Sequence, residues 1–235
     1  IWLKMENINV GTAIDLSGLG LDMIDETDDS FSIGAMVTLR QLEEHPGLAA
    51  YTHGSVKEAL RHIVGVQLRN LATVGGSIYS RFGFSDVLTL FLAMDCSVEL
   101  YKGGIVSLQE YAERPYDRDI LVRLIVKKTD AEYCYQSVRN SQTDIPVLTC
   151  AAARFADGSY RVAIGARPLK AVRFEFAAGK VPVPQLAQTM ADEVKQQIVT
   201  GSNMRGSAEY RRHLAGVLTK RAVLELEKHT AQEVN

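Results

Sequence analysis

The sequence predicts an α+β protein of two parts. Strand-like and helix-like segments alternate early in the chain, the polar string Lys127-Lys128-Thr129-Asp130 breaks that pattern, and beyond it strand-like segments come first and helical ones last. A first domain over 1–127 and a second over 128–235 are therefore expected. At 235 residues the chain can bury one or two sizeable cores without metal or disulfide support.

Ala13-Ile14-Asp15-Leu16 and Phe31-Ser32-Ile33-Gly34-Ala35 read as strands, the second entered from the turn-rich Asp25-Glu26-Thr27-Asp28-Asp29. Thr38-Leu39-Arg40-Gln41 has the form of a capping box, in which the threonine and glutamine side chains satisfy each other's free amides; Pro46 is expected to close that helix. Ser55-Val56-Lys57-Glu58 repeats the signal. Its helix is expected to reach Ile63, with Val56, Leu60 and Ile63 on one apolar stripe. Residues 71–86, rich in Gly, Ser and Thr with interleaved aromatics, read as a long functional loop, and an apolar helix follows over 85–94. Strands at 97–101 and 105–107 flank the hairpin signal Lys102-Gly103-Gly104, and 120–126 is a further strand. Beyond the polar string, 133–139, 147–155 and 161–165 read as antiparallel strands, with Asp157-Gly158 as a turn. Leu186, Met190, Val194 and Ile198 then recur every fourth residue on one helix, and Tyr210, Leu214, Val217, Leu218 and Leu224 line another.

Composition excludes several functions. With 26 Lys plus Arg against 28 Asp plus Glu, a net charge of -2 and a pI near 6.3, the chain has no bulk attraction to nucleic acid or an anionic membrane, so no nucleic acid partner is expected. No membrane insertion is expected either: the longest apolar run, Val87-Leu88-Thr89-Leu90-Phe91-Leu92-Ala93-Met94, is too short to span a bilayer, and no leader opens the chain. Cys96, Cys134 and Cys150 are odd in number and far apart, which suits neither a disulfide framework nor a thiolate metal site; a cytoplasmic location follows as the expectation. The five histidines lack metal spacing, so no metal site is expected, and no Gly-x-Ser-x-Gly elbow or Cys/His signature supports hydrolase chemistry. Arg205, Arg211 and Arg212 cluster at a helix start, as a partner contact or a solvated face. The chain opens on the amphipathic string Ile1-Trp2-Leu3-Lys4-Met5, without an initiating methionine, and native residues are expected upstream.

Candidate binding chemistry concentrates in Ala72-Thr73-Val74-Gly75-Gly76-Ser77. Paired glycines lack Cβ and permit positive φ, so successive amides can converge on an anion, with the Thr73 and Ser77 hydroxyls as further donors; the plain alternative is a tight turn. Ser85 and Asp86 stand at the start of the following apolar helix. They can cap it, or accept hydrogen bonds from ribose hydroxyls or a flavin imide. Neither a phosphate loop with its lysine nor a G-x-G-x-x-G string is present, since Gly18-Leu19-Gly20 lacks the third glycine.

With its neighbours, this segment closely resembles the flavin subunit of the molybdenum hydroxylases, the family of the xanthine dehydrogenase FAD domain and the carbon monoxide dehydrogenase medium subunit. The resemblance rests on Gln67-Leu68-Arg69-Asn70-Leu71-Ala72-Thr73-Val74-Gly75-Gly76 followed by Ser85-Asp86. It extends through Ser32-Ile33-Gly34-Ala35, Asp144-Ile145, Val162-Ala163-Ile164-Gly165-Ala166 and Arg205-Gly206-Ser207-Ala208-Glu209-Tyr210-Arg211-Arg212, and so spans almost the whole chain. It implies a FAD-binding domain of the vanillyl-alcohol-oxidase type, without its upstream first FAD loop, followed by a smaller C-terminal flavoprotein domain of sheet plus helices. It also implies an electron-transfer oxidoreductase subunit, complete in activity only with its partners. A molybdopterin-binding large subunit would oxidise substrate, a small subunit would carry 2Fe-2S clusters, and FAD on this chain would pass the electrons to NAD or another acceptor.

By position, the resemblance implies FAD contacts from Ala72, Thr73, Gly75, Gly76 and Ser77 at the pyrophosphate and from Ser85 and Asp86 on the flavin or ribose side. Ile63, with Leu121 or Val122, falls where apolar residues touch the cofactor, plain core packing being the alternative. The chain also departs from the family pattern. Ser77 replaces the usual Asn, and Phe82-Gly83 replaces Ser-Pro, which predicts a looser, more aromatic turn; Gln136 or Ser137 replaces a frequent lysine, leaving Arg139 as the local cation. Asn203 stands where relatives are often acidic. An independent FAD-dependent oxidoreductase of the same fold and a flavin-free scaffold subunit remain as alternatives.

Overall fold

The computed structural model describes residues 11–116, 118–179 and 182–233, with backbone alone over 229–233; the opening string Ile1-Trp2-Leu3-Lys4-Met5 lies outside the described residues. The first part is a five-stranded antiparallel sheet of β1 (Ile24–Glu26), β2 (Ser30–Gly34), β3 (Cys96–Leu100), β4 (Gly104–Ser107) and β5 (Leu121–Lys127), in the order β1-β2-β5-β3-β4. Seven short helices accompany it: α1 (Leu39–Glu44), α2 (Pro46–Tyr51), α3 (Ser55–Leu60), α4 (Val66–Arg69), α5 (Val74–Tyr79), α6 (Asp86–Ala93) and α7 (Leu108–Glu113). The second part is a four-stranded antiparallel sheet, β6 (Ala131–Val138), β7 (Leu148–Phe155), β8 (Tyr160–Gly165) and β9 (Val172–Phe176), followed by α8 (Val183–Gln197) and α9 (Ala208–Glu233).

Helix α6 joins the two parts. All eight of its residues are buried, as befits a helix that is apolar all round, and it packs against α3 and α5 on one side and against β7 and β8 on the other. The period-two alternation of a strand then assigns the faces of the second sheet. Ala151, Ala153 and Ala163 belong to the core shared with α6, whereas Leu148, Cys150, Ala152, Val162 and Ile164 belong to the core under α8 and α9. Small side chains on the α6 face let the helix come close. Thr89 Oγ1 bonds both the Ser85 carbonyl at 2.9 Å and Thr149 Oγ1 at 3.1 Å, and a Cβ on Gly165 would stand 2.1 Å from Thr89 Oγ1.

Several expectations change. Residues 13–16 form no strand, and Ile14 is exposed: the alternation there has no sheet to bury its apolar side. The segment 71–86 is not one loop, since α5 lies inside it. Pro46 opens α2 at its first turn rather than only closing α1. The second capping box fails, because Gly54 at φ 81° is the N-cap and Ser55 Oγ donates to the Tyr133 carbonyl at 2.9 Å. Helix α3 also stops at Leu60, short of Ile63. Arg211 is fully buried, contrary to a solvated face, with its guanidinium donating to the carbonyls of Val147, Gly201 and Gly206 and to Asn203 Oδ1. Helix α7 and strand β9 go beyond the expected elements; Ser107, which accepts from Glu110 N–H, and the alternating Val172, Phe174 and Phe176 are their signals in retrospect.

Gly165→Ala should therefore force α6 off the sheet and cost about 3 kcal/mol of stability, the upper end of overpacking penalties. Urea unfolding checks this, and an unchanged midpoint would contradict the close approach.

Candidate functional site

The site begins where the chain leaves β2 and is met by α5. Val74 N–H donates to the Val37 carbonyl at 2.9 Å and Gly75 N–H to the Ala35 carbonyl at 2.8 Å, so the start of α5 lies directly on the 35–37 backbone. A Cβ on Gly75 would sit 2.6 Å from the Ala35 oxygen, so only glycine fits there. Gly76 differs. It is exposed, and its Cβ position meets nothing nearer than Thr73 Oγ1 at 3.2 Å.

The geometry corrects the expected amide nest. Neither glycine has positive φ; both lie in the first turn of α5, with Thr73 as N-cap. Ser77 N–H donates to the Thr73 carbonyl, and Gly76 N–H to Thr73 Oγ1 at 3.1 Å. Of the four amides from Val74 to Ser77, only that of Gly76 is held by a side chain rather than by a backbone carbonyl. It is the one a ligand could take over by turning Thr73.

Two cavities meet at this point, and Thr73 and Gly76 line both. The smaller, about 320 Å³, adds Gly75, Ala35, Tyr79, Ile120 and Leu121. The larger, about 440 Å³, adds Ile63, Ala72, Ser77, Ser85, Asp86, Phe82 and Phe84. The structure thus brings together every candidate residue except Val122. That residue lines neither cavity and uses its carbonyl to accept from Ala35 N–H.

Ser85 behaves as a structural cap: its Oγ accepts from Leu88 N–H at 3.1 Å and donates to the Ser77 carbonyl at 3.0 Å. Asp86 is buried and its Oδ1 receives the Tyr135 hydroxyl at 2.5 Å and the Arg139 guanidinium. Arg139 also reaches the Asp144 carbonyl, and the Asp144 carboxylate pairs with Arg205 at 2.8 Å. The local cation expected at Arg139 is therefore the partner of Asp86, and Arg205 is paired rather than merely solvated. Sequence reasoning missed Tyr135, which no motif marks, and the buried pair of Arg69 with Glu43. There Arg69 Nε meets Glu43 Oε2 at 2.9 Å, and Nη1 holds the Ile63 carbonyl at 3.1 Å, fixing one wall of the larger cavity.

The turn at Phe82-Gly83 is tight rather than loose. A Cβ on Gly83 would lie 1.9 Å from the Leu169 carbonyl oxygen, and the Gly83 carbonyl accepts from Ala166 N–H. The Phe82 and Phe84 rings stack at 5.1 Å and 12° with their outer faces in solvent.

Burial raises the Asp86 carboxyl above the ordinary aspartate value, opposed by Arg139 and the Tyr135 hydroxyl. Its folded value exceeds its unfolded one, so its contribution is greatest below the unfolded value and is lost as pH rises through the folded value. Relative to Asp86→Asn, the wild type should lose stability with rising pH across that window, as a denaturation series would show. Asp86→Ala should cost about 3 kcal/mol at neutral pH by stranding the buried Arg139, and Asp86→Leu combined with Arg139→Met and Tyr135→Phe, which also removes the hydroxyl that Asp86 accepts, should recover most of it.

Comparison with known proteins agrees with this architecture. The family described as the FAD binding domain in molybdopterin dehydrogenase matches residues 1–129, and that described as the CO dehydrogenase flavoprotein C-terminal domain matches 133–226. The chain is 30% identical to the uncharacterized protein YgfM of Escherichia coli K12, over 88% of this chain and 76% of that protein. It is 26% identical to the xanthine dehydrogenase FAD-binding subunit of Escherichia coli O157:H7, over 93% of this chain and 80% of that one. The crystal structure of quinoline 2-oxidoreductase from Pseudomonas putida 86 superposes with a TM-score of 0.84 at 21% identity, covering 97% of this chain and 86% of that chain. Family, fold and the two-part layout coincide: the chain belongs to the FAD-binding flavoprotein subunits of the molybdopterin dehydrogenases.

Proposed function

We propose that this chain holds FAD across Thr73 and Gly76 and serves as the electron outlet of a multisubunit molybdopterin dehydrogenase. The observation that carries the reading is the meeting of two unequal cavities at a residue without a side chain. FAD is two planar ring systems joined by a pyrophosphate, a shape that needs two chambers and a narrow, Cβ-free waist. Thr73 hydroxyl and Gly76 N–H would hold the pyrophosphate, Leu121 and Ala35 would pack on the adenosine, and Ile63, Ala72 and Asp86 would face the isoalloxazine. When bound, FAD supplies a ring that takes electrons singly and releases them singly or as a pair. The chain itself contributes position. Arg69 and Glu43 stiffen one wall, and the Phe82–Phe84 stack forms part of another.

Electrons would arrive from the 2Fe-2S small subunit and leave to NAD or another acceptor, while substrate oxidation, xanthine-like or otherwise, belongs to the molybdopterin-binding large subunit. Beside Ile63, the exposed apolar residues Val64, Val66, Leu68 and Leu71 form a patch suited to a subunit interface. No helix among the described residues is long and apolar enough to cross a membrane. A cytoplasmic location is supported by the three cysteines, which are free and buried.

Gly76→Val, which crowds only Thr73 Oγ1, should still fold yet weaken FAD binding by about 1.4 kcal/mol or more, a factor of ten, read from flavin absorbance and fluorescence titration. Gly75→Ala should instead unfold the chain. Undiminished flavin uptake by Gly76→Val would overturn the assignment. Leu68→Glu, exposed and outside both cavities, should leave FAD binding intact and reduce recovery of the partner subunits in the purified complex.

A further inference from the structure

Arg81 has no role in the flavin reading, and its surroundings are unusual. It lies in the turn between α5 and α6, is 2% exposed, and is held at φ 47°, a backbone conformation unfavourable for a long side chain. Its Nε donates to the Tyr111 carbonyl at 3.0 Å, but Nη1 and Nη2 are buried with no hydrogen-bond partner among the described residues. The guanidinium lies 3.9 Å from the Tyr111 ring centre and 5.1 Å from that of Tyr116, whose hydroxyl is tied to the Ser80 carbonyl. Ring faces soften the loss of water around a cation; they do not satisfy its N–H groups.

Arg81 and Tyr116 form part of the wall of a third cavity, about 440 Å³, that shares the Phe82–Phe84 stack with the larger flavin cavity. Lys170 and Arg205 also line it, and among the described residues no aspartate or glutamate does. Lys170 is bonded to the carbonyls of Glu113 and Arg114, which leaves its charge uncompensated, while Arg205 is offset by Asp144. Ala166, at φ 56°, stands in the same wall; backbone strain of this kind clusters at binding sites.

We propose that this cavity binds a planar aromatic carboxylate. Its ring would lie on the Phe82–Phe84 stack, and its two oxygens would take the fork of Arg81 Nη1 and Nη2 once the exposed Tyr116 ring turns aside. A guanidinium fork accepts phosphate as readily as carboxylate. The stacked phenylalanines and the scarcity of neutral donors in the wall, Asn203 being the one side-chain amide, favour a flat, singly charged ligand over a phosphate. The site is built from Arg81 and the Phe82–Phe84 stack and does not depend on FAD being bound.

Calorimetric titration of the whole protein with benzoate tests this, with acetate, phenol and inorganic phosphate as comparison probes. Saturable benzoate binding is expected, with each comparison probe at least about tenfold weaker. Arg81→Met should lose at least about tenfold in benzoate affinity with flavin absorbance unchanged. Should Arg81→Met fail to fold, Tyr116→Ala decides: removing the cover should tighten benzoate binding severalfold, which a purely structural tyrosine would not do. Absence of saturable binding, equal binding by folded Arg81→Met, an unchanged or weaker Tyr116→Ala, or phosphate binding as tightly as benzoate would each overturn the proposal.

Discussion

The structure depends on one close approach, that of α6 to the four-stranded sheet. It is made possible by alanines on the inner face of β7 and β8 and by the absence of a side chain at Gly165. The Thr89–Thr149 hydrogen bond satisfies two hydroxyls that burial would otherwise leave costly. Because α6 starts at Asp86, the same contact brings the end of the glycine segment to β6 and so to Tyr135 and Arg139. The packing of an apolar helix thus decides where a polar cavity wall stands.

The adjacent glycines divide two tasks. Gly75 allows α5 to lie on the Ala35 carbonyl, a packing requirement, whereas Gly76 opens toward both cavities, where a Cβ would crowd only Thr73 Oγ1 at 3.2 Å. Thr73 serves both: it caps α5 through Oγ1 and borders both cavities. Since its cap bond is to Gly76 N–H, a ligand that displaced it would exchange one hydrogen bond for another rather than leave an amide bare.

Charge burial follows a consistent rule here, with one exception. Arg69, Arg139 and Arg211 are each buried against carboxylates or ordered carbonyls, and each ties together segments distant in the chain. Arg81 alone among these four keeps both terminal nitrogens without an acceptor among the described residues. In a protein interior such a group is costly, which is why it marks a place where a ligand can add binding energy.

Much of the architecture was legible from local signals. The Thr38 capping box, the β3–β4 hairpin, the three strands after residue 130 and the two closing helices all follow from spacing that a short stretch of chain satisfies by itself. The residues of the candidate site were legible too, because the string from Gln67 to Gly76 with Ser85-Asp86 is distinctive. Their conformation was not. Two glycines favour a loop by propensity, yet docking on the 35–37 backbone and the Thr73 cap hold them in a helix. Likewise 13–16 has the alternation of a strand but no partner, and Ser55 has the form of a cap but finds the Tyr133 carbonyl instead. Sequence by itself determined element types, family and the candidate residues, since these depend on side-chain chemistry within a few positions. Only the tertiary structure decided which amide is available, which carboxylate meets which guanidinium and which cation is left unpaired, since these depend on groups distant in the chain, 26 positions for Glu43 and Arg69 and 53 for Asp86 and Arg139, reaching the same few ångströms.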